Sequence, residues 1–123
     1  MNKILLIDDD FNSRRVLYHQ LSSMGCQVDE AEGMEGVERC GNESYALIIV
    51  AVNIPVLRPC LAILERIKRL NPRIPAVVIS AFSTAEEAKR FIESGASDFL
   101  EKPYEATLLQ NTIQRWIFAD PSP

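Results

Sequence analysis

Three consecutive aspartates, Asp8, Asp9 and Asp10, follow the apolar run ILLI at residues 4–7. Carboxylates clustered this closely suit a hard cation such as magnesium, which takes one or two carboxylates with waters and phosphate oxygens. Later in the chain VVIS ends on Ser80, and DFLEKP carries Lys102. A hydroxyl and an ammonium are the usual parts for holding a phosphoryl group. Between the aspartates and Ser80 runs LIIVAVNIP, residues 47–55, whose apolar run offers only a methyl group at Ala51 where such strands usually carry a chemically useful side chain. Singly, these residues have ordinary explanations: an acidic loop, a Lys-Pro turn, a buried strand. They carry chemistry only if one fold brings their segments together.

The elements that would do so alternate in type. Residues 4–7 read as a buried strand, cut off by the aspartates. Asn12 or Ser13 is the expected cap of a helix with Val16, Leu17, Leu21 and Met24 on one face, stopped by Gly25. Residues 27–31 form a short strand and residues 34–40 a short helix, with Gly41-Asn42 as its stop. Residues 46–52 form the central strand, apolar on both faces. Pro59 suits the first turn of a helix running to Leu70, with Leu61, Leu64, Ile67 and Leu70 inward. Residues 76–80 are a strand ending in a hydroxyl. Ser83 or Thr84 caps a helix carrying Ala88, Phe91 and Ile92 inward and ending at Gly95. Residues 98–101 are a strand, Lys102-Pro103 a turn, and residues 105–118 the last helix. Strand and helix alternating five times imply an α/β three-layer, doubly wound parallel sheet with helices on both faces. In such sheets ligands gather beyond the carboxyl ends of the strands, where the aspartates, Ala51, Ser80 and Lys102 all fall.

The chain has 123 residues, enough for one domain, here residues 1–118 with 119–123 as a tail or linker stub. Its net charge is -4 and no basic run appears, which argues against a nucleic-acid-binding surface. Cys26, Cys40 and Cys60 are odd in number and lack a CxxC pair, a pattern of reduced cytoplasmic thiols rather than of disulfides or a zinc site. The apolar run at the start is too short for a signal peptide, and none is long enough for a membrane span. No glycine-rich loop follows the first strand, where IDDDFNSRR stands, so a Rossmann or P-loop site is excluded. A phosphatase beginning with a strand and a DxD motif would be longer and carry a cap domain.

ILLIDDD, PRIPAVVISA and GASDFLEKP together resemble the response-regulator receiver domain, the phosphoacceptor module of two-component signalling. The resemblance covers about residues 3–118. It implies a flavodoxin-like (βα)5 fold with strand order 2-1-3-4-5. It also implies a magnesium site at Asp8, Asp9 and the backbone carbonyl of Asn53, with Ser80 and Lys102 as phosphoryl-pocket residues and Phe99 as a switch aromatic. Lys102-Pro103 is a candidate cis bond. The family's partners are a histidine kinase, an output domain or another regulator. They dock, as homodimers also do, on the face of the fourth helix, fifth strand and last helix; Lys89, Phe99 and Trp116 fall there.

The third strand departs from the family pattern. Aligned on Pro55, the phosphoacceptor aspartate falls on Ala51, the acid that opens the strand on Ala46, and the glycine four residues after the proline on Pro59. The acid before that glycine is Arg58. Family chemistry forms an acyl phosphate on a carboxylate, and alanine has no nucleophile. Several departures together favour natural divergence over one engineered replacement. The expected module is a pseudo-receiver, not an enzyme, acting through protein contacts. It requires no cofactor and binds magnesium weakly at most, with Lys102 able to pair directly with Asp8 or Asp9. The rival is a receiver whose nucleophile has moved to Asp8, Asp9, Asp10 or Ser80. Pro59 should stiffen the loop after the third strand. His19 reads as an ordinary helix residue, Cys60 as a small buried side chain, Trp116 as core with Leu109 and Ile113, and Phe118 as exposed.

Overall fold

Five parallel strands form, each followed by a helix; the inner three are apolar runs and the edge strands β2 and β5 carry acids. The computed structural model describes residues 3–52, 57–81 and 84–117, the side chains of 57–59 excepted. The elements are β1 (Lys3–Ile7), α1 (Phe11–Ser23), β2 (Gln27–Ala31), α2 (Gly33–Asn42), β3 (Leu47–Val52), α3 (Leu57–Leu70), β4 (Ala76–Ala81), α4 (Ala85–Glu93), β5 (Asp98–Lys102) and α5 (Ala106–Ile117). The sheet order is β2-β1-β3-β4-β5, the expected flavodoxin-like winding. β3 lies between β1 and β4 with all six residues buried, which explains its unbroken apolar run.

Successive strand residues face opposite sides, so each strand feeds two cores. Ile4 and Leu6, Leu47, Ile49 and Ala51, Val77 and Ile79, and Leu100 pack with Leu17 and Leu21 of α1 and Leu109 and Ile113 of α5. The intervening residues face the other helices. Leu5, Ile7, Ile48 and Val50 meet Val37 and Cys40 of α2 and Ile67 of α3, while Val52 and Val78 meet Leu61, Leu64 and Phe91. Two glycines are required by contact. A Cβ on Gly36 would stand 2.5 Å from Ile7 side-chain carbons, so α2 can approach β1 only with glycine there. Gly95 holds φ +116 at the end of α4, where a Cβ would also press within 2.8 Å of Lys68.

Several local expectations are corrected. The N-cap of α1 is Asp10, whose carboxylate accepts the Asn12 and Ser13 N–H groups; it outranks Asn12 and Ser13 because it precedes the first helical turn. Gly41 and Asn42 lie within α2 rather than stopping it. Val16, Leu70 and Ile92 are exposed, since each helix covers the sheet with a stripe narrower than its apolar sequence. Thr84 caps α4 through a reciprocal pair with Glu87, in agreement with one of the two expected caps. β5 extends one residue further than expected, to Lys102, and the Lys102-Pro103 bond is cis.

Candidate functional site

The register decides which strand-end residues stand level. Ile7 pairs with Val50, Ala51 with Ile79, Val52 with Ser80, and Ala81 with Lys102. Asp8 prolongs the β1 ladder, its N–H donating to the Ala31 carbonyl at 3.1 Å, so it stands abreast of Ala51. Strand parity sorts them further. Asp8, Ala51 and Lys102 fall on the α1/α5 side, with Leu6, Ile49 and Leu100, whereas Ser80 falls with Val78 on the α3/α4 side. The sheet thus brings Asp8, Ala51 and Lys102 to one side of the strand ends and puts Ser80 on the other.

The three aspartates have three different surroundings. Asp8 is 1% exposed, and its Oδ1 accepts the Asp10 N–H at 2.9 Å. Asp9 is exposed, and its Oδ1 accepts the Gly33 N–H at 3.0 Å, turned toward the start of α2. Asp10 caps α1, accepting the Asn12 N–H at 3.0 Å. Arg14 braces this loop: its guanidinium donates to the Asp8 carbonyl at 2.8 Å and pairs with Glu30 at 3.3 Å and Glu32 at 3.4 Å. Sequence reasoning gave Arg14 no role, because its partners lie on the loop and on β2.

Lys102 is half-buried and donates to Ser13 Oγ at 2.8 Å. Burial lowers its pKa from the usual lysine range, and the charges of Asp8 and Asp10 oppose that shift. Asp8 is one of the two acids expected near Lys102, and Asp10 acts beside it. Ser80 is 1% exposed, and its hydroxyl donates to the Ala81 carbonyl at 3.3 Å. Ala51, 8% exposed, completes the apolar cluster beneath α1 and α5.

As a cation site this donor set does not fit a three-carboxylate cage. Among the described residues no three His, Cys, Asp or Glu side chains converge, and Asp8 and Asp9 each commit one oxygen to a backbone N–H. Asn53 and Phe118, also named from the sequence, lie outside the described residues, as do residues 53–56, on which the expected stiffening by Pro59 bears; Pro59 itself stands in the first turn of α3. Cys60 is half-buried, and burial followed by the charge of Asp9 pushes its thiol up to about 11, a poor nucleophile. His19 is exposed and meets Tyr18 edge-on at 5.5 Å.

On the face of α4, β5 and α5, Phe99 is half-buried and stacks on Phe91, with centroids 5.9 Å apart and planes at 23°. Lys89 is exposed and pairs with Glu93 at 3.9 Å. The Trp116 indole N–H donates to Asp98 Oδ2 at 3.0 Å, an oxygen that Arg115 also reaches at 3.0 Å. Trp116 is thus a half-buried clamp at the edge of the α1/α5 core rather than wholly core.

The chain is 32% identical over 113 residues to the transcriptional regulatory protein ZraR of Escherichia coli strain K12, covering 91% of this chain and 25% of that protein. It is 29% identical over 119 residues to hybrid signal transduction histidine kinase G of Dictyostelium discoideum, covering 93% of this chain and 4% of that protein. It therefore spans a quarter or less of these relatives. The receiver domain of NtrX from Brucella abortus superposes with a TM-score of 0.85 at 28% identity, covering 95% of this chain and 99% of that one. Among the described residues no helix is long and apolar enough to cross a membrane. Receiver domains are signalling modules rather than enzymes, although they carry phosphotransfer chemistry. With the response regulator receiver domain matched over residues 4–114, the chain belongs to that family.

Proposed function

We propose that this chain is a receiver-type module of two-component signalling that takes no phosphoryl group and acts through protein contacts. The observation that carries this reading is Ala51: a methyl group stands level with Asp8 at the carboxyl end of the central strand and is packed among apolar side chains. An acyl phosphate needs a carboxylate there. A shifted acceptor is disfavoured because Asp8 and Ser80 are each 1% exposed, Asp9 is turned to α2 and Asp10 is engaged as a cap.

The module works in the cytoplasm, beside a histidine kinase, an output domain or another regulator. The face carrying Lys89, Phe99 and Trp116 is its contact surface, for a partner or a second copy. Asp8 and Asp9 would hold magnesium only weakly, and the contacts would not depend on it. Incubation with acetyl phosphate and magnesium, followed by intact mass, tests the central claim. No mass change is expected; a gain of one phosphoryl group overturns it, and peptide mapping would then name Asp8, Asp9, Asp10 or Ser80 as the acceptor.

A further inference from the structure

We infer that Ser13 holds Lys102 in this chain, standing in for a carboxylate on β3, and that it is one half of a clasp joining α1 to the segment after β5. The inference rests on reading Ala51 as a replaced acceptor. Lys102 leaves β5 on the α1/α5 side, and its ammonium senses Asp8 at the end of β1. Its ammonium meets the start of α1 at Ser13, on the side of the sheet where Asp8 and Ala51 also fall. A half-buried ammonium has lost much of its water, so its N–H groups need protein acceptors. One acceptor is the Ser13 hydroxyl at 2.8 Å.

Ser13 is put there by local structure. It occupies the first turn of α1, where its own N–H is taken by the Asp10 cap. A hydroxyl accepts from the ammonium without adding charge to a loop that already holds Asp8, Asp9 and Asp10. A carboxylate at the same point would crowd a fourth anion against them. Two turns further along α1, Gln20 Oε1 accepts the Tyr104 hydroxyl at 3.1 Å. Ser13 and Gln20 are seven residues apart, on one helix face, with Leu17 between them. The two hydrogen bonds flank a groove lined by Val16, Leu17, Ala81 and Pro103. The clasp thus joins two elements that lie 89 residues apart in the chain at Lys102 and Ser13.

The test is the labelling rate of Lys102 by an N-hydroxysuccinimide ester at one fixed pH, read peptide by peptide in the full chain. Ser13→Ala should speed labelling of Lys102 about threefold or more while the other lysines are unchanged, and Ser13→Thr, which keeps the hydroxyl, should restore the slow rate. Alanine is the better helix former, so this gain cannot come from weakening α1. Gln20→Ala, which removes the second bond, should give a smaller increase of the same sign. In an Ala51→Asp background the effect of Ser13→Ala should fall by about half or more, because the new carboxylate takes the ammonium. Equal rates in wild type and Ser13→Ala, or a Ser13→Thr rate matching alanine, overturn the clasp. An undiminished effect in the Ala51→Asp background overturns the stand-in role. A phosphoryl gain by the wild-type chain would instead overturn the reading of Ala51 and leave the labelling result standing.

Discussion

Two charged regions sit at opposite ends of this sheet and are built differently. Near the amino end, Asp29 and Glu43 face Lys3 and Arg39, with contacts between 3.0 and 3.3 Å, and the buried Tyr45 hydroxyl lies 2.9 Å from Asp29 and 3.1 Å from Glu43. Acids and bases balance there, and each group is held by several others. At the carboxyl end Asp8, Asp9 and Asp10 crowd one loop against Lys102 and Arg14, and Arg14 is shared with Glu30 and Glu32. A balanced network is what a structural tie requires. An excess of acid at strand ends is what a ligand site leaves when its partner is elsewhere. Ala51, level with Asp8, adds no charge to it.

The largest break in this contrast should come from placing an acid at position 51. Ala51→Asp adds a carboxylate beside Asp8, and in chelator-treated buffer it should destabilise the chain by about 2 kcal/mol through like-charge crowding. Millimolar magnesium should recover most of that loss, whereas the wild type should barely respond. Thermal denaturation of both proteins with and without magnesium checks this, and an equal response would erase the distinction. For the wild type, a dissociation constant of about 10 mM and about 5 mM metal give only about 0.2 kcal/mol.

At the amino end, Tyr45→Phe removes the hydroxyl between two carboxylates and should cost about 1–2 kcal/mol, measured by urea denaturation at pH 7. No change would mean that the ion pairs hold this end without it.

Alkaline pH should separate the two regions by sign. Burial, then bonding to Asp29 and Glu43, raises the Tyr45 pKa, and bonding to Glu43 and Asp29 raises that of Lys3. Raised groups stabilise fully below their unfolded values, and that contribution is lost as pH rises through the folded ones. Lys102 runs the other way. Its folded pKa lies below the ordinary lysine value of 10.5, so between the two the unfolded chain binds more protons and stability rises with pH. Urea titrations between about pH 8 and 11 should therefore fall more steeply for Lys102→Met than for wild type, and less steeply for Tyr45→Phe. Identical slopes in all three would remove the contrast.

Much of the fold was legible because period and punctuation report burial directly. The run at residues 46–52 read as the central strand and is β3 from Leu47, and Gly25 and Gly95 close α1 and α4 at positive φ. Helix faces were less legible. Val16, Leu70 and Ile92 continue apolar stripes in the sequence, yet each stands at the rim, where the sheet no longer covers it. Caps also misled: Asn12 and Ser13 are good cap residues, but Asp10 reaches the first free N–H groups before them.

The sequence by itself determined the chemical inventory of the strand ends: three aspartates after β1, a methyl group at position 51, a hydroxyl at 80 and a lysine at 102. Those are properties of single residues placed at the ends of apolar runs, and no packing is needed to read them. Only the tertiary structure decided how they face one another. Parity puts Ser80 on one side of the sheet and Asp8, Ala51 and Lys102 on the other, and the register levels Ala51 with Asp8. It also brought Ser13 to Lys102, a partner that no local pattern in the sequence signals. A hydrogen bond depends on positions to within tenths of an ångström, and these are set by how ten elements pack rather than by the order in which they are joined.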